Sequence, residues 1–399
     1  MLSMTQSSDP VVIASYARTP MGGMQGALSG AKATELGAVA VKAAVERAGV
    51  APDKIEQIYM GCVLQAGLGQ APARQAALGA GLPDSVEATT LNKMCGSGMQ
   101  AAIMAHDALL AGTAEVIVAG GMESMTNAPY LLLKHRGGSR IGHDTAYDHM
   151  FLDGLEDAYK TGTAMGVFAE DTATKYQFTR EAMDEYAISS LTRAKKAIES
   201  GAFAKEVVPV EIKTRKGVEL VTEDEQPGKA DPAKIPTLKP AFAKDGAVTA
   251  ANSSSISDGA AALVMTREST ARKLGMNIVA KVVAHAAHAH EPAWFTTAPG
   301  PAIQKVLKKA GWSVDDVDLF EVNEAFAVVA MVAERDVGID RAKMNVNGGA
   351  TALGHPIGAS GARIIATLLA ALENRGGKKG VASLCIGGGE ATAIAVELV

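Results

Sequence analysis

Three segments of this 399-residue chain set a reactive side chain among glycines: Cys95 in LNKMCGSGMQAAIMAHDALLAG, His355 in GGATALGHPIGASG and Cys385 in SLCIGGGEA. Cys95 follows the β-branched run VEATTL and opens a small-residue helix, so its thiol is expected at a helix N-terminus. An ordinary thiol, with a pKa of about 8.5, is only roughly 3% thiolate at pH 7, and a helix end and a cationic neighbour both stabilise the anion. His355 precedes a proline, and a residue in that position avoids the helical region, so the backbone aims the ring. Cys385 ends an apolar strand directly before three glycines whose amides are ready donors to a developing oxyanion. A fourth segment, NEAFA at 323–327, offers an amide and a carboxylate at the end of the strand VDLFEV.

Taken singly, each segment has a plainer reading. A cysteine beside glycine is commonly a small core residue, the histidine loop could be a phosphate loop or a turn, and Asn323 could cap a helix. The glycine spacing does not fit a dinucleotide fingerprint, which wants GxGxxG straight after a strand and an acid about 20 residues on.

The elements that must position these residues come in two similar sets. AGVAPDKIEQIYMG and AGWSVDDVDLFEVN both carry Ala-Gly at a helix end, an acidic turn and a strand. Ser97-Gly98 and Ser360-Gly361 open two apolar helices at nearly the same offset, each followed by a strand running into glycines. The pattern predicts a duplicated α/β unit with a mostly parallel or mixed sheet covered on both faces. Its bounds are 1–122 and 276–399, with 248–275 completing the first copy and an inserted subdomain over 123–247. In the insert, Thr179 caps an amphipathic helix that Gly201 ends, and the polar, proline-broken stretch KTRKGVELVTEDEQPGKADPAKIP is a surface loop or hairpin that could meet a ligand.

Composition narrows the classes. Hydrophobic residues make 48% and aromatics 4%, so small aliphatics and 42 glycines must fill closely packed layers. A net charge of -5 argues against nucleic acid as a partner. Three cysteines without a CxxC pair favour neither a disulfide framework nor zinc, and read as free thiols in a reducing compartment. MLSMTQSSDP lacks the pattern of a signal peptide and no run is long enough to span a membrane, so a cytoplasmic protein is expected.

The four segments together, in this order, resemble the thiolases, and the likeness extends from VVIASYARTPMGGMQGALS through GQAPARQAALGAGLP and NSSSISDGAAA to GGGEATAIAVELV. The resemblance implies two five-layered α/β halves with a loop domain, and a reversible Claisen condensation of acetyl-CoA to acetoacetyl-CoA, or thiolysis of 3-ketoacyl-CoA, within fatty acid metabolism. It implies Cys95 as the acylated nucleophile, His355 as its activator and Cys385 as the acid/base at the α-carbon. Asn323 would hold a water that forms one oxyanion hole with His355, and the amides of Cys95 and Gly387 would form the other. Coenzyme A, a substrate and not a cofactor, would lie against Leu155, Phe242, Ala250, Ser254, Ile256, Ala325 and Phe326, with Met165 and Phe295 walling the acyl pocket. No metal is implied. The stretch LLLKHRGGSRIG resembles an arm that joins dimers into homotetramers.

The chemistry of a Claisen condensation asks for the same inventory: a thiolate, a second base and two oxyanion holes, because two thioester oxygens become negative at different moments. Departures from the family pattern are Ala164 where short-chain members have histidine, Glu390-Ala391 where a neutral residue and glycine are common, and Pro227 near the place of an adenine-stacking arginine, with Lys229 a possible substitute. A ketoacyl or hydroxymethylglutaryl-CoA synthase would carry histidine or glutamate in place of Cys385 or Asn323. A Cys/His thioester hydrolase needs no second thiol.

Overall fold

The computed structural model describes residues 9–399, so most of the N-terminal stretch read for a targeting signal lies outside the described residues. Nine of the ten strands of its main sheet lie in one path. In chain order they are β1 (Val11–Arg18), β2 (Gln57–Gly61), β3 (Glu87–Leu91), β4 (Val116–Ser124), β5 (Ser257–Arg267), β6 (Ala280–Ala289), β7 (Leu319–Val322), β8 (Lys379–Ile386) and β9 (Glu390–Leu398). The helices that matter here are α1 (Ala33–Ala48), α2 (Ser97–Ala111), α3 (Met165–Tyr176), α4 (Arg180–Glu199), α5 (Pro299–Ala310) and α6 (Ser360–Arg375). The spatial order is β7-β8-β9-β6-β1-β5-β4-β2-β3.

Read outward from the middle, that order is one unit used twice. β1, β5, β4 and β2 correspond to β6, β9, β8 and β7: two antiparallel pairings, then a parallel one. β1 and β6 join the copies antiparallel through Val12↔Lys281 and Ile13↔Ala280. The sheet is therefore mixed. The repeated Ala-Gly pairs sit where α1 and α5 end, with Gly49 and Gly311 in the left-handed region at φ 69° and 71°.

The repeated Ser-Gly pairs have a packing reason. A Cβ on Gly98 would stand 2.7 Å from the Ala362 nitrogen, and one on Gly361 would stand 2.2 Å from the Met99 nitrogen, so α2 and α6 meet backbone to backbone at their first turns. Cys95 and His355, each a few residues before its helix, are brought to the same place by that crossing.

Strand alternation then sorts side chains into layers. In β4, Val116, Val118 and Met122 join the cluster under α1, while Ile117 and Ala119 join the one around α2 and α6. In β8, Val381 and Cys385 face the α5 side, and Ala382 and Leu384 face the middle. The resulting sequence is helix, sheet, helix, sheet, helix.

In the inserted region, the Thr179 hydroxyl accepts the Ala182 N–H at 3.2 Å and starts α4, which runs to Glu199, with Ser200 its cap and Gly201 left-handed at φ 71° just beyond. The proline-broken stretch forms the expected hairpin, Val210–Thr214 with Gly217–Val221. None of its residues lines the cavity that holds Cys95 and His355. Asp224 takes both ends of the buried Arg18 guanidinium at 2.7 and 2.8 Å, and Glu225 accepts the amides of Gly23 and Ala27, so the stretch docks on its own chain. Lys229 is ion-paired with Glu225.

Candidate active site

The nucleophile loop is held by its own side chains. Asn92 Oδ1 accepts the Met94 amide at 2.9 Å, and the Ser97 hydroxyl accepts the Lys93 amide while donating to the Met94 carbonyl at 2.7 Å. Met94 is forced to φ 48°, a strained conformation for a non-glycine residue, immediately before Cys95. The backbone amides of Gly387 and of Cys95 itself lie where they act to lower the Cys95 pKa. Burial nevertheless wins and pushes the thiol up to about 11, with the buried Glu123 adding to the rise. Lys93, the cation nearest in sequence, is ion-paired with Glu390 rather than with the Cys95 sulfur, and the raised pKa favours the neutral thiol at rest.

His355 is the group that can take its proton. The ring is buried, and burial together with the Arg363 charge lowers its pKa to about 3. Its Nδ1 lies 2.5 Å from the Ser360 hydroxyl, which donates to the Pro356 carbonyl at 3.0 Å. With the hydroxyl hydrogen directed to Pro356, the hydroxyl oxygen accepts from Nδ1–H, and the lone pair is left on Nε2. Nε2 is buried and has no hydrogen-bond partner among the described residues.

Both groups line a cavity of about 360 Å³, and so do all the other expected site residues except Asn323 and Cys385. Gly387, Leu155, Met165, Phe242, Ala250, Ser254, Ile256, Phe295, Ala325 and Phe326 form its wall with Met125, Phe151, Ile357 and Ala164. The aromatic side is built edge to face, with Phe326 against Phe242 and Phe295 at ring separations of 6.1 and 6.5 Å. Ala164 contributes only a methyl group to the wall.

Asn323 and Cys385 stand just behind this surface. Asn323 is buried, with Nδ2 3.4 Å from His355 Nδ1 and Oδ1 accepting from Arg363 at 3.2 Å. Cys385 is fully buried at the end of β8, and burial first, then the neighbouring Cys95, raises its pKa well above the ordinary thiol range. The carboxylate of the NEAFA segment is occupied elsewhere: Glu324 accepts from Tyr186, Ser190, Asn345 and Thr351, which anchors the segment to α4.

Two contributors were invisible in the sequence reading. Glu123, at the end of β4, accepts the amides of Val63, Leu64 and Gly358, and its only sequence signal is an acid closing an apolar strand after two glycines. Ser360 was noted as half of a repeat rather than as the partner of His355. Away from the cavity, His106, Asp107 and His285 bring three potential metal-ligand atoms within 4.8 Å of one another, but His106 and His285 already hydrogen-bond to Asp107 at 3.0 and 2.9 Å.

Comparison with known proteins agrees with this geometry over the full length. Residues 11–269 match the thiolase N-terminal domain and residues 276–398 the thiolase C-terminal domain. The chain is 50% identical over 403 residues to acetyl-CoA acetyltransferase 2 of Arabidopsis thaliana, covering 100% of both proteins. It is 48% identical to an acetyl-CoA acetyltransferase of Cupriavidus necator over 97% of this chain and 99% of that one. The crystal structure of the Bacillus anthracis acetyl-CoA acetyltransferase superposes with a TM-score of 0.95 at 42% identity, covering 98% of this chain and 99% of that one. With both domains matched in order and relatives near half identity along its whole length, the chain belongs to the thiolase family.

Proposed function

We propose that the protein is an acetyl-CoA C-acetyltransferase, condensing two acetyl-CoA to acetoacetyl-CoA and free CoA and running the reverse thiolysis on the same residues. The observation that carries this reading is the meeting of the Cys95 thiol, the Gly387 amide and a neutral His355 with a free Nε2 in one apolar cavity. Names of the full-length relatives point the same way.

In this reading His355 Nε2 takes the Cys95 proton as sulfur attacks the thioester, since a thiol near 11 and an imidazole near 3 exchange a proton only as the new bond forms. The amides of Cys95 and Gly387 receive the oxyanion, CoA leaves with the proton, and acetyl-Cys95 remains. A second acetyl-CoA then loses an α-proton to the Cys385 thiolate, formed once the resting thiol has released its proton to solvent, while its oxygen is held by an Asn323-bound water and by His355 in the tautomer that carries the proton on Nε2 and accepts from Ser360 at Nδ1; the carbanion attacks the acetyl carbonyl and displaces the Cys95 thiolate, which takes up a proton. In cleavage Cys385 returns that proton to the departing enolate. A thiol pushed well above its usual range is protonated at rest, the form cleavage requires. CoA lies along the Leu155, Phe242, Ser254 and Phe326 wall.

We assign residues 1–122 with 248–275, and 276–399, to the two halves and 123–247 to the loop domain. The exposed Leu132, Leu133 and Ile141 support the homotetramer arm, and the three free thiols support a reducing, cytoplasmic setting. No helix among the described residues is long and apolar enough to cross a membrane.

The test is loss of acetoacetyl-CoA with and without free CoA, with rapid-quench mass spectrometry of the adduct. Turnover requires CoA, which takes the acetyl group from Cys95, and the quenched intermediate carries one acetyl group on that residue. Equal loss without CoA would make the protein a hydrolase.

A further inference from the structure

Arg363, one turn into α6, is fully buried, and its guanidinium cannot shed its charge. A buried cation carries a desolvation penalty that an apolar residue would not incur, and the carboxylates around it compensate only in part. Glu321 lies 3.7 Å from Nη1, Glu206 lies near enough to act on the charge, and Nε and Nη1 have no hydrogen-bond partner among the described residues. Its one side-chain hydrogen bond runs from Nη2 to Asn323 Oδ1 at 3.2 Å.

That contact decides something shape alone leaves open. The two ends of an asparagine amide are nearly equal in size, so only a neighbour of fixed polarity can orient it. A guanidinium donates and never accepts, so it must face Oδ1. Nδ2 is then turned to the His355 side, where it stands 3.4 Å from the ring. A water that gives one hydrogen to an oxyanion is polarised further toward it when its own oxygen accepts a hydrogen bond from whatever holds it. Asn323 can donate that bond only through Nδ2.

We propose that Arg363 is a positioning residue for acyl transfer, locking the Asn323 amide so that its N–H, and not its carbonyl, faces the substrate side. The proposal rests on the role given above to Asn323. Arg363 also supplies the charge that, after burial, holds His355 neutral. A lysine would keep the charge without the planar fork, and methionine would keep only the volume.

The experiment compares Arg363→Met, Arg363→Lys, Asn323→Ala, Asn323→Asp and the double variant Asn323→Ala with Arg363→Met, each first checked for folding by circular dichroism. Asn323→Asp keeps a partner for Arg363 but has no N–H to offer. It should lose kcat as severely as Asn323→Ala, on the order of 10²-fold, as when one oxyanion donor is removed. Arg363→Met should lower kcat by a similar order while KM for acetyl-CoA changes less than about threefold, and Arg363→Lys should fall between it and the parent. In the Asn323→Ala background, Arg363→Met should cost almost nothing further, because it acts through the missing amide. Full additivity of the two losses, or an active Asn323→Asp, overturns the proposal. If Asn323→Ala itself retains full kcat, the failure lies in the role given to Asn323. If Arg363→Met does not fold, Arg363→Lys and Asn323→Asp still decide the matter.

Discussion

Gly358 donates its N–H to Glu123 Oε2 at 2.8 Å, so the end of β4 holds the loop that carries His355. The same carboxylate takes the amides of Val63 at 3.0 Å and Leu64 at 3.1 Å, and the Cys62 thiol lies 3.6 Å from Oε1. All of its neighbours here are donors. Three elements are thereby fixed relative to the nucleophile by one acceptor group.

Glu123→Gln should therefore be damaging although it changes little in volume. A carboxamide offers one oxygen, and its NH2 would face an N–H that needs an acceptor. Leaving a buried donor unpaired costs about 1–3 kcal/mol and more when a charged acceptor is lost, so about 2–4 kcal/mol is expected. Urea unfolding measures it. A variant of unchanged stability and kcat would remove Glu123 from the positioning machinery.

The pH dependence of stability carries a signature of His355. Its folded pKa near 3 lies below the ordinary value, so between about pH 6.5 and about pH 3 the unfolded chain binds a proton that the folded one does not. The stability present above 6.5 is lost as pH falls through that window. Glu123 acts in the opposite sense: burial raises it to about 7, so the native state keeps a proton the unfolded state releases, and its contribution falls as pH rises from about 4.5 to 7. The comparison must therefore be between the parent and His355→Gln. Their difference in unfolding free energy should shrink on acidification, with a slope approaching about 1.4 kcal/mol per pH unit. Parallel curves would mean that the ring is solvated.

Phe295 is buried in the pocket wall, edge-on to Phe168 and Phe326 at 6.4 and 6.5 Å. It fills the volume that further methylenes of an acyl chain need, each worth about 0.8 kcal/mol if buried. Phe295→Ala should raise kcat/KM for octanoyl-length 3-ketoacyl thioesters relative to acetoacetyl-CoA, at a stability cost of about 3–5 kcal/mol. Equal use of both chain lengths by the parent enzyme would contradict the assignment. The cavity without a histidine at Ala164 is the feature that works against short-chain preference.

What the sequence made legible was local. Cys95, His355 and Cys385 lie in glycine loops whose backbone can be read from neighbours one to three residues away, and the repeat was visible because both copies keep the same helix ends. The reason for the repeated Ser-Gly pairs was not legible, since it is a contact between α2 and α6 across the whole chain. Glu123 and Arg363 escaped for the same cause: their partners lie 235 and 40 positions away. The rise in the Cys95 pKa was not legible either, because a helix end is a local feature whereas the burial that outweighs it is set by packing between distant segments.

In the proposed reaction the two thiols separate by the step each serves. Transfer from acetyl-CoA to Cys95 moves only a thioester, with His355 handling the proton, whereas condensation also demands removal of an α-proton by a second base. Cys385 sits close enough to Cys95 to raise its own pKa by that proximity, yet it does not line the cavity, so it can reach the α-carbon only of a substrate seated against Cys95. In Cys385→Ala, exchange of labelled CoA into acetyl-CoA should persist, while synthesis and cleavage of acetoacetyl-CoA fall by roughly 10²- to 10⁴-fold, the range for losing a general acid or base. Cys95→Ala should abolish both. Alanine in β8 removes a sulfur but leaves the strand pairing of Cys385 with Ala391 intact, so the Gly387 amide stays in register, and retained CoA binding checks that it does. Equal loss of exchange and condensation in Cys385→Ala would place that thiol in the acylation step and overturn the division of labour.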